Sequence, residues 1–137
     1  MEKRQQKTES FVRTYIIREK QERLLHELNH PAKRPRAIDR FSHTSSLLLK
    51  PSKIIMKDEN LSHLTEFRQF MKQHDTDCLI LSADSFLNEK TMRFSEAVQY
   101  ASASGECAVI IGDTFACVYG EYTPNGRDEY LLCEETL

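Results

Sequence analysis

Apolar residues recur at helical spacing from Thr8 onward, at Phe11, Tyr15, Ile17, Leu24, Leu25 and Leu28. Thr8 suits an N-cap and Glu9 a first turn, so the pattern predicts one long helix. Pro31 ends it, because the residue before a proline is pushed out of the α region. Residues 1–7 are polar, and they are expected to be a flexible N-terminus that frays or extends this helix only weakly. Pro35 fits the first turn of a second helix, on which Ile38, Phe41, Ser45 and Leu48 share a face; Lys50-Pro51 closes it.

The pattern then changes. "KIIMK" (53–57) reads as a short strand, and Asp58 or Asn60 can cap a third helix carrying Leu61, Leu64, Phe67 and Met71. "DCLILSA" (77–83) is apolar at successive positions, the mark of a strand buried on both faces. Over 91–104, Phe94, Ala97, Val98 and Ala101 form a helical stripe that Gly105 stops. Strands follow at 107–111, 115–122 and 129–133, with turn chemistry at Gly112-Asp113 and Pro124-Asn125-Gly126. The fold class expected is α+β. Two N-terminal helices precede a mixed sheet with two further helices, and the chain ends in an antiparallel three-strand meander. Residues 8–137 form a single domain in this reading, a size that buries a real core without staples. The meander is apolar on both faces from Cys107 to Val118, so one face should meet the helices and the other more helix or a partner chain.

Charge divides the chain. Residues 1–57 hold fourteen Lys and Arg against six Asp and Glu, whereas residues 58–137 hold five against fifteen. Either the basic half meets an acidic surface, its own or a partner's, or it meets nucleic acid. No apolar run approaches the roughly 20 residues that cross a bilayer, and no apolar stretch follows the charged N-terminus as in an export signal. A cytoplasmic location, without membrane contact, is the expectation. The four cysteines form no C-x-x-C pair and lie in or at the end of apolar runs, which suits reduced, buried thiols.

His26-Glu27-Leu28-Asn29-His30 matches H-E-x-x-H, the zinc-and-base signature of metalloproteases. Residues i and i+4 share a helix face, but His30 precedes Pro31 and sits where the helix must end. His43 and Asp39 lie on the next helix as conceivable further ligands, but no extended zincin motif follows. No metal or other cofactor is expected; the histidines suit the dipole of a helix C-terminus.

"HPAKRPRAIDR" holds the more informative chemistry. Lys33, Arg34, Arg36 and Arg40 crowd the start of a helix, the end that is already partially positive. Unless something negative is present, each cation there costs a few tenths of a kcal/mol. These four are the candidate anion-binding residues, with acidic groups of residues 58–137 as the competing explanation. Phe115, Tyr119, Tyr122 and Tyr130 suggest a stacking platform, yet they lie in the acidic half and fit core packing better. Asp84, after the strand at 77–83, reads as a turn cap. No catalytic residues are assigned. The functional expectation is a small accessory or regulatory factor that acts through protein contacts, as a homodimer or on another partner. A nucleic-acid or polyanion binder is the first alternative, and a zinc hydrolase on His26, Glu27 and His30 the second.

Overall fold

A computed structural model describes residues 3–135. Three helices come first: α1 (Lys3–Tyr15), α2 (Arg18–Leu28) and α3 (Arg34–Leu48). They are followed by β1 (Ile54–Asp58), α4 (Thr65–Gln73), β2 (Asp77–Ser82), β3 (Thr91–Arg93) and α5 (Phe94–Ala103). The chain closes on β4 (Ala108–Ile111), β5 (Phe115–Tyr119) and β6 (Glu129–Cys133). The class is α+β, and the terminal meander is present. The six strands run in the order β1-β6-β5-β4-β2-β3, and every neighbouring pair is antiparallel, so the sheet is not mixed.

Both sheet faces are apolar because both are covered. Leu79, Leu81, Val109, Ile111, Ala116, Val118, Tyr130 and Leu132 point one way, into Phe11, Leu24, Leu28, Ile38 and Phe41 of α1–α3. Cys78, Ile80, Ala108, Ile110, Phe115, Cys117 and Leu131 point the other way, into Phe67 of α4 and Phe94, Ala97 and Ala101 of α5. The alternation within each strand sorts its residues between the two layers. Helices of this same chain therefore occupy the face for which the sequence left a partner open.

Three local departures have physical causes. The long helix expected up to Pro31 breaks at Ile16 and Ile17. Ile17 is extended and its N–H donates to the Leu48 carbonyl (2.8 Å), while the Lys50 N–H donates to that of Tyr15 (2.7 Å). The buried Gln21 donates to the Ile16 carbonyl (2.9 Å), occupying an acceptor that the broken helix leaves open. Next, Leu61–His63 is a single 3₁₀ turn, and α4 starts only at Thr65. Finally, residues 91–93 form the edge strand β3 rather than the start of α5. Asp75 makes that late start possible. Its carboxylate accepts the Ser95 N–H (2.9 Å) and hydroxyl (3.1 Å), capping α5 from twenty residues upstream.

The other end of α5 is held by Arg127, whose side chain is 2% exposed. Nη1 donates to the Ser104 carbonyl (2.8 Å), and Nη2 to those of Ala101 (3.0 Å) and Ser102 (3.1 Å). Its Nε meets Glu129 Oε2 at 3.2 Å, and Glu129 Oε1 in turn accepts the Leu61 N–H (2.8 Å). Tyr119 and Tyr122 flank the guanidinium, with ring centroids 5.2 and 5.5 Å away. One buried ion pair thus ties α5, β6 and the turn before α4 together.

Candidate functional site

A cleft of about 640 Å³ opens where the N-terminal half of α1, the α2–α3 turn and the end of β2 meet. Its walls include Arg4, Gln5 and Thr8 from α1, Asn29 from the turn, Arg34 from α3, and Ser82, Ser85, Asn88 and Glu89 from β2 and the loop beyond it. The helical wall is set by the two prolines. Helix α2 ends at Leu28, and the N–H groups of Lys33 and Arg34 both reach the His30 carbonyl (2.9 Å each), a tight turn that delivers Arg34 to the cleft.

The opposite wall is built from a bulge. Both Glu89 and Lys90 face Ile80: the Glu89 N–H donates to the Ile80 carbonyl (2.7 Å), and the Ile80 N–H to that of Lys90 (2.9 Å). Glu89 carries φ +66°, the left-handed conformation that glycine normally takes at such a position. A side chain there costs about 1 kcal/mol. Asn88 Oδ1 accepts the Ser82 N–H (3.1 Å), and the Ser82 hydroxyl donates to the Cys107 carbonyl (2.7 Å), so the loop is fastened to the sheet.

Across the cleft, Arg34 Nη1 meets Glu89 Oε1 at 2.8 Å. The Nε of Arg34 is buried without a hydrogen-bond partner among the described residues. Such an orphan donor costs on the order of 1–3 kcal/mol if nothing reaches it. Gln5, Asn29, Ser85 and the NH₂ of Asn88 likewise make no side-chain hydrogen bond as donors among the described residues. The site therefore combines the guanidiniums of Arg4 and Arg34, one carboxylate and several neutral donors, of which Gln5, Asn29 and Ser85 are exposed. No histidine or cysteine lines it.

The four cations singled out in the sequence do not converge. Arg34 faces the cleft and takes its acidic partner from the C-terminal half. Arg40 is paired with Glu27 of α2 and borders a second, smaller hollow between α2 and α3. Lys33 and Arg36 are exposed and have no ion-pair partner among the described residues. Asp39 lies 3.9 Å from His43, which also meets Glu121 at 3.1 Å.

The H-E-x-x-H residues are dispersed in function. Glu27 is engaged by Arg40 and lies 3.6 Å from Arg23, and His30 falls beyond the end of α2. The rings of His26 and His30 lie 6.2 Å apart, and no group of three potential metal ligands occurs among the described residues. Burial pushes the thiols of Cys78 and Cys107 up to about 12 and that of Cys117 up as well, so none is a ready nucleophile. Asp84 caps its turn, accepting the Phe86 N–H at 2.9 Å. Phe115 packs against Phe94 (4.6 Å between centroids) and Phe70 (5.4 Å), and Tyr119 and Tyr130 are buried, so these three form core rather than a platform, whereas Tyr122 is exposed.

Sequence reasoning found Arg34 through its unusual position but missed Glu89, Asn88 and Ser85. A signal existed for Glu89, since "NEK" before an edge strand stands where a glycine-bearing turn is expected. Comparison of the chain with protein-family models, with curated proteins and with solved structures gives no match.

Proposed function

We propose that this chain is a non-enzymatic binding domain, an accessory or regulatory factor whose small polar ligand occupies the cleft at Arg34. The observation that carries the reading is a cleft of about 640 Å³ in which the Arg34–Glu89 pair sits beside neutral side-chain donors. Ligand pockets commonly fall between roughly 300 and 1,000 Å³ and fix orientation with a few polar groups. Binding is favoured over catalysis because the one carboxylate in the wall, Glu89, is held by Arg34, and no imidazole or thiol lines the cleft beside Ser82 and Ser85. The protein-contact reading loses part of its support, since helices of the same chain cover both sheet faces and Arg34–Glu89 joins the two charge halves internally.

The test is a thermal-shift panel of sugars, sugar acids, amino acids, nucleosides and short peptides at millimolar concentration, run on the wild type and on Arg34→Ala. Stabilisation of the wild type that vanishes in the variant supports the reading. A panel in which no compound raises the melting temperature rejects it.

A second reading, polyanion binding on the outer face of the α2–α3 turn, draws on Lys33 and Arg36, which are exposed and unpaired among the described residues. A labelled oligonucleotide bound at low salt and released by Lys33→Ala/Arg36→Ala favours this second reading.

A further inference from the structure

The hollow between α2 and α3 shares no lining residue with the cleft. We infer that it is the docking groove for an acidic amphipathic helix of a partner protein. Among the described residues, four large apolar side chains are exposed: Leu47, Phe86, Tyr100 and Tyr122. Tyr122 lies against the Arg127 guanidinium, and Phe86 packs on Tyr100 with the Lys90 ammonium over its ring. Leu47, the most exposed of them at 72%, instead borders the hollow, which measures about 260 Å³. Leu24, Phe41 and Leu48 line it too, and the first two keep only 7% and 5% of their surface open. This apolar floor is recessed, so only a side chain that enters the hollow covers it. The volume lies below the roughly 300–1,000 Å³ of small-molecule pockets and suits the anchoring side chains of a protein partner.

The rim decides the partner's charge. Lys20 and Arg23 of α2 and Arg40 of α3 stand around the floor, with Glu27 as the one carboxylate among them. Glu27 is already engaged by Arg40 and lies 3.6 Å from Arg23, and its side chain is only 14% exposed, against 71% for Arg23. The charge that the rim turns outward is therefore positive, and it complements an apolar stripe flanked by Asp and Glu. The walls decide the partner's form. Both are helical, so their backbone bonds along each helix and offers no strand edge to an extended chain. Side chains must carry the recognition, and a helix presents them at i, i+3, i+4 and i+7 with its own backbone satisfied. Two helices side by side also leave the groove that the ridges of a third fill. A nucleic acid would meet the rim and leave the floor uncovered, and a flat bilayer surface would reach Leu47 but not Phe41.

The test is a display selection of random peptides on the full-length wild type, with counter-selection on Leu47→Gln. Glutamine is a helix former of similar length, and Leu47, Lys20 and Arg23 are all exposed, so the variants used here leave the core intact. Enriched peptides are expected to carry Leu, Ile, Phe or Met at helical spacing with Asp and Glu beside them. Synthesised with a fluorescent label, they should bind Leu47→Gln at least about tenfold more weakly than the wild type, the scale of one apolar side chain left uncovered. Lys20→Gln/Arg23→Gln should weaken them as well, by a factor that shrinks as salt rises. A selection that enriches nothing overturns the groove. Enriched peptides that lack acidic residues and bind Lys20→Gln/Arg23→Gln as tightly as the wild type overturn the acidic partner. Sedimentation of the protein alone and binding of a labelled oligonucleotide complete the test. Self-association abolished by Leu47→Gln would give the hollow to a second copy of the chain, and oligonucleotide binding abolished by Lys20→Gln/Arg23→Gln would give the rim to nucleic acid; either result overturns the proposal.

Discussion

Replacing Arg127 by Met keeps an unbranched side chain of similar reach and removes every polar contact the guanidinium makes. The carbonyls of Ala101, Ser102 and Ser104 at the end of α5 lose their donor, and Glu129 is left buried without its cation. Breaking a buried pair by removing one partner costs roughly 3–5 kcal/mol, chiefly because the remaining charge stays desolvated. Unfolding entropy of about 2.1 cal/mol/K per residue gives this chain about 0.29 kcal/mol/K, so the loss corresponds to about 10–17 °C in melting temperature. Burial raises the Glu129 carboxyl above the usual range, against the pull of the Leu61 N–H and Arg127. Without Arg127 it rises further. A carboxyl raised in the folded state contributes stability below its unfolded value, about pH 4.3, and that contribution is lost as pH climbs through the raised one. The deficit of Arg127→Met should therefore be largest near neutrality and shrink toward about pH 4. Urea unfolding at both pH values measures it. Adding Glu129→Gln to Arg127→Met removes the stranded charge and should recover part of the loss at pH 7, a coupling that the double-mutant cycle reads directly. A loss below about 1 kcal/mol, or equal losses in the single and double variants, would refute the claim that this pair locks α5 to the sheet.

Other outcomes follow from the same physical reasoning. The Ser95 N–H, the Ser95 hydroxyl and Arg93 hold the Asp75 carboxyl below the usual range, so its contribution is present above its unfolded value and disappears as pH falls through the lowered one. Asp75→Asn should flatten the acid limb of a stability-versus-pH curve, and a limb identical to wild type would show that Asp75 does not cap α5. Gly112→Ala places a methyl 2.5 Å from the Phe115 ring, which Phe70, Phe94 and His74 hold in place. The expected cost is about 1–3 kcal/mol, measured by denaturant unfolding, and a neutral substitution would mean that the ring yields freely. A thiol reagent at mildly alkaline pH should label Cys133, which is half-buried, and spare Cys78, Cys107 and Cys117 until denaturant is added. Rapid labelling of more than one thiol in the native protein would contradict the packing of the sheet.

Much of the architecture is legible in the order of apolar residues. The stripe of Phe94, Ala97, Val98 and Ala101 does form the buried face of α5, and the strands of the meander appear where apolar runs meet turn residues. The break between α1 and α2 is not legible, because apolar spacing continues across Ile16 and Ile17. Leu48 and Lys50 supply the competing hydrogen bonds from the far end of α3. Edge strand β3 is three residues long, too short for its period to show against the helical stripe that follows. Asp75 and Arg127 hold the two ends of α5 from a distance; Gly105 marks the C-terminal end locally, whereas no local cap marks the N-terminal one. The site divides in the same way. Arg34 stands out as a cation at the wrong end of a helix, and an acidic partner from the second half is a reasonable inference. That Glu89 is the partner depends on a bulge opposite Ile80 and on four separated segments meeting, which only the folded chain reveals.

The central claim is that this domain meets its ligand in the cleft rather than on the exposed basic turn. The most direct measurement is a backbone-amide resonance map of the wild type titrated with the most stabilising compound of the thermal-shift panel. The account predicts that the signals that move belong to Asn29, Arg34, Ser85, Asn88 and Glu89, the residues of the cleft wall. Movement confined to Lys33, Arg36 and their exposed neighbours, with the β2–β3 loop unaffected, would contradict it.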